Sequence, residues 1–124
     1  MKQLLLIILL TTSCNSIAEW IEYSTMPNGD VYFYDNTRVK KEDSQFSIWT
    51  RVRYKTSVMA ASSYQSNVIL DCSENSETVL QSTFYTDRNW TIPAMATNTN
   101  TKPKTYIKLD SPTGQLVNIL CKAS

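Results

Sequence analysis

Arg51, Arg53 and Lys55 stand two residues apart in a segment that also carries Trp49. Successive side chains of a strand point to opposite faces, so in an extended chain these four share one side. Together with Arg38, Lys40 and Lys41 from the polar stretch before them, they form a candidate basic patch with an aromatic ring in it. Cations so arranged hold anions: acidic protein segments, sulfated glycans or lipid headgroups. The alternative is a solvated sheet face whose charges keep the strand soluble. Tyr32 and Tyr34 project opposite to Val31 and Phe33 and suit either cross-strand packing or an interface.

Catalytic chemistry has little to work with. The chain has no histidine. That removes Ser-His and Cys-His nucleophile pairs, imidazole zinc sites and the usual acid–base residue at neutral pH. Glu74, Glu77, Asp87 and Asp110 are scattered near expected turns, with a glycosidase-like pair of carboxylates as the disfavoured alternative. The two glycines, Gly29 and Gly114, are too few and too far apart for a phosphate loop. These residue types favour a binding or structural module over an enzyme, with no metal site and no cofactor.

Three cysteines carry the remaining chemistry, at positions 14, 72 and 121. Cys14 lies in a leader with Lys2 ahead of the apolar run Leu4–Leu10 and the small-x-small sequence Ser16-Ile17-Ala18. That is the layout of an export signal, and the run is far shorter than the roughly 18–20 residues that span a bilayer. Two processing routes stay open. Cleavage after Ala18 would remove Cys14. The run Leu10-Thr11-Thr12-Ser13-Cys14 also resembles a bacterial lipobox, in which Cys14 would be lipidated and become the only membrane attachment. Either way Cys72 and Cys121 remain, and in an exported chain they most simply form one disulfide. Closing a loop of about 50 residues is worth roughly 4 kcal/mol in the chain-entropy picture. Two buried free thiols are the alternative.

Residues 1–18 are thus read as a signal peptide and 19–124 as one small domain with one core. The leader takes Lys2 from the 12 basic residues and none of the 11 acidic ones, so the domain is neutral. A neutral domain argues against a nucleic-acid partner.

The elements that must position these residues are mostly strands. Glu19–Thr25 and Val31–Asp35 flank Pro27-Asn28-Gly29-Asp30 and read as a hairpin. Asn36–Gln45 reads as a loop. Phe46–Val58 alternates, with Phe46, Ile48, Val52 and Tyr54 on one face and the basic residues on the other. Ser63–Cys72 and Glu77–Thr86 form a second hairpin about the polar turn Ser73–Ser76, with Cys72 directed toward the core. Asp87–Lys104 reads as a loop without regular structure. Ser111-Pro112 supplies an N-cap and a first-turn proline for a short helix with the apolar stripe Leu116, Val117, Ile119, Leu120 and Cys121. The expected fold is α+β: an antiparallel sheet of five or six strands with one C-terminal helix packed on a face, tied to it by the disulfide.

In that order the segments resemble the bacterial surface-adhesin protein E family. The resemblance rests on Glu19-Trp20, Val31-Tyr32-Phe33-Tyr34-Asp35, Phe46-Ser47-Ile48-Trp49, Asp71-Cys72-Ser73, Phe84-Tyr85 and the stretch from Ser111-Pro112 to Leu120-Cys121. It covers nearly all of the domain, although Tyr106 stands where such chains often have a tryptophan. The resemblance implies a six-stranded antiparallel sheet, a disulfide-tied helix and dimers of the chain. It further implies exposure at the outer membrane of a Gram-negative cell, a role in virulence, and binding of host extracellular-matrix proteins such as vitronectin and laminin, without catalysis. A small, exported, β-rich and disulfide-stapled chain also suits a periplasmic accessory protein or a lysozyme-inhibitor-like module.

Overall fold

The structure, a computed structural model, describes residues 17–122. The leader up to residue 16, Cys14 included, lies outside the described residues. The elements in chain order are β1 (Trp20–Thr25), β2 (Val31–Asp35), β3 (Lys40–Glu42), β4 (Gln45–Val58), β5 (Ala61–Asp71), β6 (Ser76–Tyr85), β7 (Thr105–Tyr106) and α1 (Pro112–Lys122).

All seven strands join one antiparallel sheet in the order β1-β2-β4-β5-β6-β7, with β3 paired to β4 beside the end of β2. The expected count of five or six is therefore too low. Lys40–Glu42, read as loop, pairs with Gln45–Ser47 across a tight turn at Asp43, whose φ is 55°. Thr105–Tyr106 pairs with Ser76 and Glu77. Both strands are too short to show a period in sequence.

The long hairpin β4–β5 is the centre of the sheet. Phe46, Ile48, Thr50 and Val52 of β4 are buried, as are Ser66, Val68 and Leu70 of β5. Its tip is a two-residue turn in which Met59 and Ala60 both take positive φ, at 49° and 67°. This is the backbone of a hairpin turn that usually selects Asn-Gly, so β5 starts earlier than the expected Ser63. The β1–β2 turn uses the more conventional Gly29, whose φ is 94°. Between β5 and β6, Asp71 organises the turn. It accepts hydrogen bonds from Ser44 Oγ, from the Ser73 backbone and hydroxyl, and from the Glu74 backbone. Those bonds, led by Ser73, hold its carboxyl far below the usual range.

Residues 87–104 have no long strand, yet they follow the edge of β6. Ser82 and Asn98 exchange backbone hydrogen bonds, Ala94 N donates to Phe84 O, and Lys102 N donates to Val79 O. The segment thereby covers an edge that would otherwise be open to pairing.

Helix α1 begins as expected. Ser111 Oγ accepts from Gly114 N at 3.1 Å, and Pro112 occupies the first turn. Leu116 and Val117 pack against Tyr34, Phe46, Ile48, Val68 and Leu70, with Leu120 and Cys121 at the margin. Ile119 turns out to solvent, unlike its place in the expected stripe. The disulfide joins Cys72 to Cys121 with the Cα atoms 5.8 Å apart, a spacing such a bond bridges without backbone movement.

Candidate functional site

Helix α1 packs on the face carrying Phe46, Ile48, Val68 and Leu70. The opposite face, which carries Trp49, Arg51 and Arg53, has no helix over it among the described residues. Period-two alternation and register decide what gathers there. Phe33 lies across from Arg51, and Trp20 lies across from Asp35. Trp90 arrives from the segment after β6.

These residues interleave. The Arg38 guanidinium lies 5.2 Å from the Trp49 ring centre and 5.9 Å from that of Trp20. Arg51 lies between Trp20 at 4.1 Å and Trp90 at 4.6 Å. Arg53 lies between Trp90 at 4.9 Å and Phe33 at 5.5 Å. Phe33 and Trp90 themselves meet edge to face, with centroids 5.8 Å apart. All three tryptophans of the chain and three of its four arginines thus form one alternating array. A cation on an indole face is worth about 0.5–1 kcal/mol when exposed and more when desolvated. These contacts hold the array together.

Each arginine is also fixed from the side. Asp35, fully buried, accepts from Thr37 N, from Thr37 Oγ1 and from Arg38 Nε, so it both folds the loop after β2 and aims Arg38 across the face. Burial works to raise the Asp35 pKa, but the bonds from Thr37 and Arg38 outweigh it and the carboxyl sits below its ordinary value. Arg51 Nε donates to Gln65 Oε1 at 2.7 Å, and Arg53 Nε donates to Arg88 O at 3.2 Å. Burial lowers the Arg51 pKa, with Tyr85 opposing the shift and Arg38 adding to it. Even so, a guanidinium stays charged at neutral pH.

Trp90 owes its place to a turn built on Asp87. The Asp87 carboxylate accepts from Asn89 N, Thr91 N, Thr91 Oγ1 and Ile92 N. Led by the Thr91 hydroxyl, these bonds bring its pKa down to about 2. Inside that turn Trp90 takes φ 55°, a conformation most residues avoid. Its indole Nε1 donates to Tyr64 O at 3.0 Å.

Of the residues expected to form the patch, Trp49, Arg51, Arg53 and Arg38 are brought together. Lys40 lies across from Ser47 and so shares their face at the sheet edge. Lys41 falls on the other face, with its ammonium 5.6 Å from the Phe46 ring centre. Lys55 sits at the far end, beyond the array and against Gly29. Trp20, Phe33 and Trp90 join the array without belonging to the expected patch. The hairpin register carried the signal for Trp20 and Phe33. Trp90, in a polar segment without periodicity, carried none.

The array offers stacked rings and the fork-shaped edges of three guanidiniums. That combination suits the carboxylates and apolar side chains of a protein surface. Among the described residues no group of His, Cys, Asp or Glu is arranged to hold a metal, and no helix is long and apolar enough to cross a membrane.

Solved structures of Haemophilus influenzae protein E share this architecture. One crystal form aligns with TM-score 0.66 at 15% identity, over 84% of this chain and 87% of the other. Protein E from a non-typeable strain of the same species aligns with TM-score 0.62 at 14% identity, over 88% and 79%. At such identities the likeness speaks to the fold alone. A comparison with curated proteins returns no match. The family model for surface-adhesin protein E matches residues 20–122, from the first strand to the end of the helix, and the chain belongs to that family.

Proposed function

We infer that this protein is an exported adhesin of the cell envelope that binds a host protein, such as a matrix component, by surface contact and without catalysis. The observation that carries this is the Trp–Arg array on the sheet face that α1 leaves uncovered. Tryptophan and arginine are the residue types that dominate binding hot spots, and here each holds the other in place before a partner arrives. Such preorganisation lowers the ordering cost of association. Acidic segments of the partner would meet the guanidinium edges, with Lys40 adding charge at the rim.

The test is binding of purified protein and of whole cells to immobilised vitronectin and laminin, against a deletion strain. An Arg38→Ala/Arg53→Ala variant with unchanged circular dichroism should bind at least tenfold more weakly. Wild-type binding should also weaken as salt rises, because exposed charge is screened. Equal binding by the variant would remove the array from the interface. No difference between wild-type and deletion cells would end the adhesin reading, and inhibition of lysozyme by the purified protein would replace it with the inhibitor one.

A further inference from the structure

Helix α1 covers only part of its face of the sheet. Beside it a cleft of about 130 Å³ opens between helix and strands. Tyr23 of β1, Tyr32 of β2 and Tyr64 of β5 line it, with Glu77 of β6 and Thr113 from the first turn of α1. The Tyr23 and Tyr32 rings stand 6.1 Å apart at 53°. On the floor, the Thr50 and Ser66 hydroxyls bond to each other at 2.7 Å.

Among the described residues, Glu77 is the sole charged residue of the lining. Its carboxylate accepts one long hydrogen bond, 3.5 Å from Thr113 Oγ1, and takes part in neither salt bridge found among the described residues. A part-buried carboxylate with so little compensation is unfavourable unless a cation meets it. Burial pushes the Glu77 pKa up, and it does the same to Tyr23 and Tyr32.

Three tyrosines and one carboxylate lining a single cleft supply the chemistry that recognises an ammonium ion. The lining decides which kind. Glu77, the phenol oxygens and Thr113 are acceptors, which suit the three N–H donors of a primary ammonium; a quaternary ammonium has none to give. At about 130 Å³ the cleft has room for the end of a side chain. We propose that this cleft binds the primary ammonium of a lysine side chain presented by a protein partner, with Glu77 as counter-ion and Tyr23, Tyr32 and Tyr64 as the cage. It lies across the sheet from the Trp–Arg array, so the two sites succeed or fail separately.

The test is an NMR titration of the tyrosine ring signals with Nα-acetyl-lysine N-methylamide. The controls are its norleucine isostere, which lacks the ammonium, and tetramethylammonium. The lysine probe should saturate with a Kd on the order of 1–10 mM, and the norleucine probe should leave the rings unmoved. Glu77→Gln, which keeps a side chain able to reach Thr113, should weaken the lysine probe at least tenfold. Equal binding of the norleucine probe would reduce the cleft to an apolar crevice. Tighter binding of tetramethylammonium, or an unaltered Kd in a folded Glu77→Gln variant, would also overturn the proposal. The norleucine comparison uses the wild-type chain and so stands even if the variant does not fold.

Discussion

Replacing Arg51 by methionine tests whether the Trp–Arg array holds itself together. Arg51 touches two indoles, at 4.1 and 4.6 Å, and bonds to Gln65 at 2.7 Å. Two half-buried cation–π contacts are worth about 1 kcal/mol each, and the hydrogen bond adds about 1 kcal/mol. Methionine fills much of the same volume, and its sulfur returns roughly 0.5–1 kcal/mol against the rings. The net loss is about 2 kcal/mol, or roughly 8–16 °C in melting temperature for a domain of this size. Urea unfolding followed by tryptophan emission measures it, with thermal melts as a second reading. Arg51→Lys is the informative companion. It keeps the charge and loses the planar fork, so it should recover less than half of the loss. In a cycle with Trp90→Leu, Arg51→Met should show a coupling of about 1 kcal/mol. If Arg51→Met costs under about 0.5 kcal/mol, or if Arg51→Lys matches wild type, the rings and guanidiniums are neighbours without mutual support.

Three further outcomes follow from the fold. Cys72→Ser and Cys121→Ser should lower stability equally, by roughly 4 kcal/mol, with the double variant no worse; unequal melting temperatures would argue against one shared bond. Gly114→Ala should destabilise the protein by more than about 1 kcal/mol, because a Cβ there would lie 2.5 Å from Lys108 O and 2.6 Å from Leu109 O; a melt at or above wild type would show that the approach relaxes freely. Asp87 has a folded pKa near 2, below its ordinary 3.8. Its contribution is therefore complete above about pH 3.8 and is lost as pH falls toward 2, so acidification through that window should change Trp90 emission, and Asp87→Asn should abolish that change.

Much of this architecture is written in short-range pattern. Alternation through Phe46–Val58 assigns both faces of β4, Asn28-Gly29 marks the first hairpin, and Ser111-Pro112 marks the helix start. The features that escape are those whose cause lies elsewhere in the chain. Met59-Ala60 has no turn chemistry of its own, and the pairing of β4 with β5 on either side imposes the positive φ values. Strands β3 and β7 exist because a neighbour offers them an edge. Lys40 and Lys41 look equivalent in sequence, but pairing with β4 sends adjacent residues to opposite faces, so only Lys40 reaches the array side. The basic patch is legible as charge. That the charge is stacked between indoles depends on Trp20 and Trp90, one brought by hairpin register and the other by a turn that Asp87 ties together.

The bond between Cys72 and Cys121 also decides how the domain would bear tension. A pull between Trp20 and the end of α1 reaches Cys121 almost at once and crosses the sulfurs to Cys72. Everything between those two residues, with β6, β7 and nearly all of α1, lies outside the load path. Only β1 to β5 can then be drawn out, and the extensible length of the domain is fixed by covalent chemistry before any strand lets go.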